Sequence, residues 1–263
     1  MKIRVDIVDA FTKQRFKGNS AAVVITEAWL ADDLMQAIAA ENNLSETAFL
    51  VQSADGSYHI RWFSPLAEID FCGHATLASA SVLFKQLPQC DELTMVAKAV
   101  GRMTISQTAE GFIEMDFPNR KPTAVADIPQ ALFDGLSIQP AQVLLNNQAY
   151  FAVYDSEADV RAVVADSEQL KKLAPYDVVV TAASEQYDFV SRYFWPANGG
   201  DEDPVTGSIH TGLAPYWAER LSKQQLHAYQ ASQRGGELYC RVDNDRVFIS
   251  GGAVHYLQGY IEV

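Results

Sequence analysis

Positive charge is scarce in this chain: 20 Lys and Arg stand against 33 Asp and Glu, a formal net charge of −13. Binding to a phosphate backbone needs a basic stripe, and the scattered Lys and Arg form none, so nucleic acid is not an expected partner. Cysteine is scarcer. Cys72, Cys90 and Cys240 are odd in number, far apart and free of any C-x-x-C pair, which argues against a disulfide framework and against a zinc site. No uninterrupted apolar run reaches the ~20 residues of a membrane span. Neither a G-x-G-x-x-G nor a Walker-type loop is present, so no nucleotide site is expected. His59, His74, His210, His227 and His255 lack H-x-x-x-H or H-E-x-x-H spacing, and no carboxylate is expected to cluster with them as a metal ligand. The expected metal and cofactor content is none. Residues 1–9 alternate with a strand's period of two and lack the zones of a signal peptide, which places the protein in the cytoplasm as an expectation.

What remains is an ordinary globular composition, 48% hydrophobic and 20% charged, in 263 residues. That length carries a full core without staples and allows either two similar domains or one large one.

The most unusual stretch is 199–210, Gly-Gly-Asp-Glu-Asp-Pro-Val-Thr-Gly-Ser-Ile-His. Its acidic run reads as a carboxylate-rich turn or extended loop. Thr206 then reads as a helix cap, and Ser208 as the start of a helix whose first N–H groups are free. Such N–H groups hold anions, and a substrate carboxylate seated there would lie beside Asp203 and Ser208. Taken singly, Asp203 and Thr206 read as caps and the glycine pair as a hinge. The cluster together reads as a site.

Period-two segments predict strands at 2–9, 19–26, 44–51 and 58–63, the first two forming a hairpin across the Gly18-Asn19 turn. Further strands are predicted at 93–97, 102–107, 112–117, 142–145, 150–154, 177–182, 189–195, 226–230, 237–242, 246–250 and 254–261. Helical spacing predicts a helix from 32–33 to 42–43, short helices near 130–133, 157–164 and 167–173, and two central helices at 73–84 and 208–221. The first central helix is rich in Ala and Leu and small enough in cross-section to be buried on most sides. Glu46 stands at the mouth of an apolar strand, and by the base rate of glutamates it reads as solvated. Each half of the chain thus supplies strands around one apolar helix entered through an acidic loop and a glycine. The expected organisation is a weak duplication, with a domain at 1–118 to which the last strand returns and a second at 119–263. Packing about a pseudo-two-fold axis would let both helix starts face one cleft, the default site.

Three words together, Asn43-Leu44-Ser45-Glu46-Thr47-Ala48-Phe49, Cys72-Gly73-His74-Ala75-Thr76 and Glu202-Asp203-Pro204-Val205-Thr206-Gly207-Ser208, resemble the phenazine-biosynthesis PhzF-like family. Supporting words are Asp9-Ala10-Phe11-Thr12, Gly18-Asn19-Ser20-Ala21, Phe63-Ser64-Pro65 and Gln230-Ala231-Ser232-Gln233-Arg234-Gly235-Gly236, in the family's order and almost end to end. The resemblance implies a diaminopimelate-epimerase-like fold of class α/β (α+β): two pseudo-symmetric domains, each a curled, mostly antiparallel sheet around a central helix. It also implies a cofactor-free isomerase in which Glu46 moves a proton on a dihydro-hydroxyanthranilate-like substrate while His74, Asp203 and Ser208 assist. Gly73, Ala75, Thr206, Gly207 and Asn19 are then the candidate substrate-binding residues. Desolvation of a carboxyl in an apolar cleft favours such chemistry by raising its pKa toward working pH.

Related amino-acid epimerases use two opposed cysteines. Cys72 matches the first, but Pro204 and Val205 stand near the second, so a two-thiol racemase is disfavoured and Cys72 reads as a small buried hydrophobe. Ser208 lacks a G-x-S-x-G elbow, which disfavours a serine hydrolase. His210 reads equally as a core, solvated or site residue. Two other classes stay open: a non-catalytic protein binding a small carboxylate metabolite, and a scaffold acting through a sheet edge. A small carboxylate is the expected partner, no membrane is, and a homodimer is compatible with the sequence.

Overall fold

The computed structural model describes residues 1–263 throughout. The chain forms two compact units, Met1–Asp116 with Ser250–Val263, and Phe117–Ile249.

The first unit contains β1 (Lys2–Ala10), β2 (Asn19–Thr26), α1 (Asp32–Asn42), β3 (Glu46–Gln52), β4 (Tyr58–Phe63), β5 (Glu68–Ile69), α2 (Gly73–Gln86), β6 (Glu92–Ala97) and β7 (Gly101–Gln107). The chain leaves this unit within β8 (Ile113–Pro118). β1 and β2 are the expected antiparallel hairpin, Asp6 opposite Val23. β2 and β3 run parallel, with Ala21 opposite Glu46 and Val23 opposite Ala48.

The β2–β3 sheet is covered on both faces. Ala22, Val24 and Phe49 point to α1, where they pack with Met35, Ile38 and Ala39. The alternating residues, Ala21, Val23, Glu46, Ala48 and Leu50, therefore share the other face, on which α2 lies against β1, β2 and β3. Two-sided burial explains why residues 21–24 read as a continuous apolar run. It also places Glu46 on an inward face. α2 is buried at every position from Gly73 to Ala80, as its small residues permit.

The second unit follows the same plan. Its elements are β9 (Thr123–Ala124), α3 (Gln130–Asp134), β10 (Gln142–Leu145), β11 (Ala149–Val153), α4 (Glu157–Ala162), α5 (Ser167–Leu170), β12 (Asp177–Ala183), β13 (Phe189–Trp195) and β14 (Gly200–Asp203). After them come α6 (His210–Leu221), β15 (Gln225–Gln230) and β16 (Gly236–Asp243), and the chain returns to the first unit within β17 (Arg246–Gly251) and ends in β18 (Ala253–Glu262). One sheet face packs Tyr150, Ala152, Val178, Val180, Val190 and Phe194 against the short helices. The opposite face receives α6: Phe189 stacks on Trp217 with ring centroids 5.9 Å apart, and the Trp217 indole N–H donates to Thr181 Oγ1 at 2.9 Å.

Two expectations need correction here. The acidic run is not a turn, because residues 200–203 are strand β14, which pairs with β13 so that Asp203 stands opposite Tyr193. The second central helix begins at His210 rather than Ser208, since residues 207–209 form tight turns whose carbonyls already bond three residues ahead. No helix is long and apolar enough to cross a membrane.

Candidate functional site

One cluster of candidate residues, in the first unit, lies where β3 begins and α2 starts. Glu46 is only 5% exposed and so is His74, which corrects the reading of Glu46 as a solvated strand end. Parallel pairing beside Ala21 puts its side chain under the first turn of α2. There Glu46 Oε2 stands 2.9 Å from His74 Nε2. Despite the short distance, Oε2 makes no well-aligned hydrogen bond within the protein.

The neighbours of His74 set its tautomer. Ser45 Oγ–H donates to Asn19 Oδ1 at 2.9 Å, which turns the Asn19 amide nitrogen to His74 Nδ1 at 3.1 Å. Nδ1 is then an acceptor, and the ring's proton resides on Nε2, the atom nearest Glu46. Asn19 is fully buried, as is Ala75. Cys72 Sγ lies 3.4 Å from Nδ1 and 3.8 Å from Nε2 and is buried with them. Donor atoms of Glu46, Cys72 and His74 all lie within 4.8 Å of one another. A carboxylate therefore does cluster with a histidine, against the expectation from spacing, because the packing of α2 on β3 joins residues that lack any motif spacing. Carboxylate, thiolate and imidazole are also donors that a zinc-like cation accepts, so these three are the residues on which such an ion would sit.

A second cluster, in the second unit, lies in the segment from β14 to α6. Asp203, 9% exposed, accepts a short hydrogen bond from the Thr206 hydroxyl on Oδ2. Thr206 is thus turned back onto the acidic strand and does not cap α6, which has no side-chain cap. Gln230, fully buried in β15, clamps this loop: its Oε1 accepts from Thr206 N at 2.9 Å and its Nε2 donates to Asp203 O at 2.8 Å. Ser232 Oγ adds a bond to Pro204 O at 2.7 Å. Ser208 Oγ accepts from Gln148 Nε2 at 2.9 Å.

Both helix starts keep open donors. The backbone N–H groups of Gly207, Ser208 and Ile209 find no acceptor in the protein, nor do those of Gly73 and Ala75. Aligned N–H groups at the positive end of a helix dipole favour a carboxylate. His210 does not join them as a proton carrier. It is fully buried, its Nδ1–H donates to Thr206 O at 2.8 Å, and burial lowers its pKa to about 4.

Residues 8–259 match a family model described as phenazine biosynthesis-like protein. The chain belongs to the phenazine biosynthesis-like (PhzF) family. It is 46% identical to an uncharacterized isomerase of Pseudomonas aeruginosa over 100% of both chains. Among solved structures, a PhzF-family phenazine biosynthesis protein of Enterococcus faecalis superposes with a TM-score of 0.94 at 41% identity, covering 100% of each chain. A hydroxyproline epimerase of Agrobacterium vitis shares the fold alone, with a TM-score of 0.60 at 10% identity over 99% of this chain and 91% of that one. The PhzF-type, epimerase-like fold is therefore the fold of this chain.

Within this family framework Ser45 and Gln230 had no role assigned from sequence, and Asn19, expected among the substrate-binding residues, also supports His74. Ser45 and Asn19 orient His74, and Gln230 holds the Asp203–Thr206 loop. Gln230 opened one of the words that carried the resemblance, which was the available signal. Gln148 carried none.

Proposed function

We propose that this chain is a cofactor-independent isomerase that moves a proton on a small carboxylated metabolite, with Glu46 as the general acid/base. An isomerase-type function is supported by relatives named isomerases, including those at 46% and 44% identity over the whole chain. The observation that carries the residue assignment is the buried Glu46–His74 contact of 2.9 Å. A carboxylate held out of water beside an imidazole N–H can take a proton from carbon and return it elsewhere, a transfer typically worth ~10²–10⁴-fold. His74 Nε2 stands beside the Glu46 carboxylate, and Asn19 keeps the imidazole proton on that side. The open N–H groups of Gly207, Ser208 and Ile209 would seat the substrate's carboxylate. Asp203 and Ser208 assist in this reading, with Thr206, Gly73, Ala75 and Gly207 contributing to substrate contact. No step passes through a metal or an organic cofactor.

The test is deuterium wash-in from heavy water, read by mass spectrometry, across small cyclic and unsaturated carboxylic acids including a dihydro-hydroxyanthranilate. Exchange or a double-bond shift supports the reading. Saturable binding with no exchange would replace it with a non-catalytic carboxylate-binding function.

A further inference from the structure

A chain of hydrogen bonds with every donor fixed runs through the second unit and ends on Ser208. It starts at Asp177, the first residue of β12, which shares the α6 face of the sheet with Tyr193 of β13. Asp177 Oδ1 accepts from Asn198 Nδ2 at 2.7 Å, and Oδ2 accepts from the Tyr193 hydroxyl at 2.5 Å. A carboxylate has no hydrogen to return, so the single hydrogen of Tyr193 is committed to Asp177. Burial raises the Tyr193 pKa well above its ordinary value, and the hydroxyl keeps that hydrogen. Burial also raises Asp177, against the opposing bonds from Tyr193 and Asn198.

With its hydrogen spent, Tyr193 Oη can only accept. Gln148 Nε2 supplies one N–H to it at 3.0 Å. The second N–H of the same amide goes to Ser208 Oγ at 2.9 Å. Rotating the amide by half a turn would set Gln148 Oε1 against Tyr193 Oη, two acceptors face to face, so the tyrosine selects the amide's orientation. The backbone of Gln148 is itself tied down by Asn146 Oδ1, which accepts from Gln148 N at 2.8 Å and from Ala149 N at 3.0 Å. Ser208 Oγ therefore receives a hydrogen from the protein, and its own hydrogen has no acceptor within it.

We infer that Gln148, fixed by Tyr193 and Asp177, is a positioning residue that commits the Ser208 hydroxyl to donate its hydrogen to an oxygen of the bound substrate. The acceptor is a carboxylate oxygen, because the same turn also offers the open N–H groups of Gly207, Ser208 and Ile209 as donors. The inference rests on the proposed function only in taking Ser208 as a site residue. A site with donors alone also discriminates: an amide in place of the carboxylate would set an NH₂ against some of these donors and lose affinity.

The experiment is a double-mutant cycle on binding. Benzoate, anthranilate and 3-hydroxyanthranilate are titrated calorimetrically into wild type, Ser208→Ala, Gln148→Met and the double variant, with anthranilamide as the neutral counterpart. For the tightest acid, Ser208→Ala is expected to raise Kd by about 10-fold, the usual effect of losing one hydrogen bond to a charged group. Gln148→Met is expected to raise Kd several-fold in the wild-type background and to change nothing further once Ser208 is alanine. A purely structural Gln148 would weaken binding equally in both backgrounds and overturns the inference. So does a Ser208→Ala variant that binds as wild type, or a wild type that none of the acids saturates. Thermal melting monitors the fold, and Tyr193→Phe replaces Gln148→Met in the same cycle if that variant does not fold. Because binding is read and not turnover, this result stands apart from the exchange experiment: acids bound as predicted without proton exchange would remove the isomerase reading and leave the Ser208 assignment.

Discussion

Glu46 Oε2 and His74 Nε2 face each other at 2.9 Å, on a parallel strand and a central helix whose packing leaves both side chains nearly dry. The proton on this imidazole is placed by Asn19, whose amide nitrogen faces Nδ1. Replacing Asn19 by Asp, an isosteric change, exchanges the donor facing Nδ1 for an acceptor. His74 Nδ1 is then expected to carry a hydrogen. Long-range proton–nitrogen correlation spectra would show the wild-type ring carrying its hydrogen on Nε2 alone, with activity falling about 10-fold in the variant. An unchanged tautomer would remove Asn19 from the account.

His210 makes stability depend on pH. Its folded-state pKa of about 4 lies below the ordinary value near 6.5, so the native state favours the neutral ring. The contribution is complete above pH ~6.5, declines as the unfolded chain takes up the proton, and is lost by about pH 4. The whole span is worth about 3 kcal/mol. Urea unfolding at pH 7 and pH 4.5 should show this loss in wild type, and His210→Phe should flatten the His210 share of the profile while retaining the stacking surface beside Phe189.

The three cysteines should react in a fixed order. Cys90 is partly exposed, whereas Cys240 is buried and its thiol is pushed up to about 12 by burial. Iodoacetamide should label Cys90 first in the native protein and reach Cys240 only after unfolding. Native-state labelling of Cys240 at the rate of Cys90 would contradict its place in the core.

Gly212 marks a close approach of α6 to its surroundings. A Cβ there would stand 2.6 Å from Phe151 Cζ, 2.9 Å from Asn146 Nδ2 and 3.0 Å from the Arg120 carbonyl oxygen. Gly212→Ala gains helix propensity of about 1 kcal/mol, and overpacking costs about 1–3 kcal/mol. The backbone carbonyl cannot rotate away, so a lower melting temperature is expected; a higher one would show that α6 shifts freely.

Much of the local structure was legible because its signals are local. Alternation marked β4 at Tyr58–Phe63, and the Ala/Leu-rich run after Gly73 marked α2. Glu46 was not, since nothing in its neighbours says that β3 will lie beside β2 and beneath a helix: burial of a single polar residue at a strand end is a tertiary fact. The acidic strand Gly200–Asp203 misled for a related reason. Glycine and clustered carboxylates disfavour a strand, yet pairing with β13 and the Arg192–Glu202 bond at 2.8 Å hold it extended. Thr206 looked like a cap because its spacing fits one, and Asp203 takes its hydroxyl instead. Gln148, Asp177 and Tyr193 left no trace in the sequence, being ordinary polar residues on a loop and two strands that meet only when the sheet forms.

The most direct test of the central claim is proton exchange by Glu46 variants. Deuterium wash-in into the acid that wild type exchanges fastest should fall at least ~10²-fold in Glu46→Gln, while anthranilate binding and the melting temperature stay close to wild type. Glu46→Gln exchanging deuterium at the wild-type rate would contradict the account.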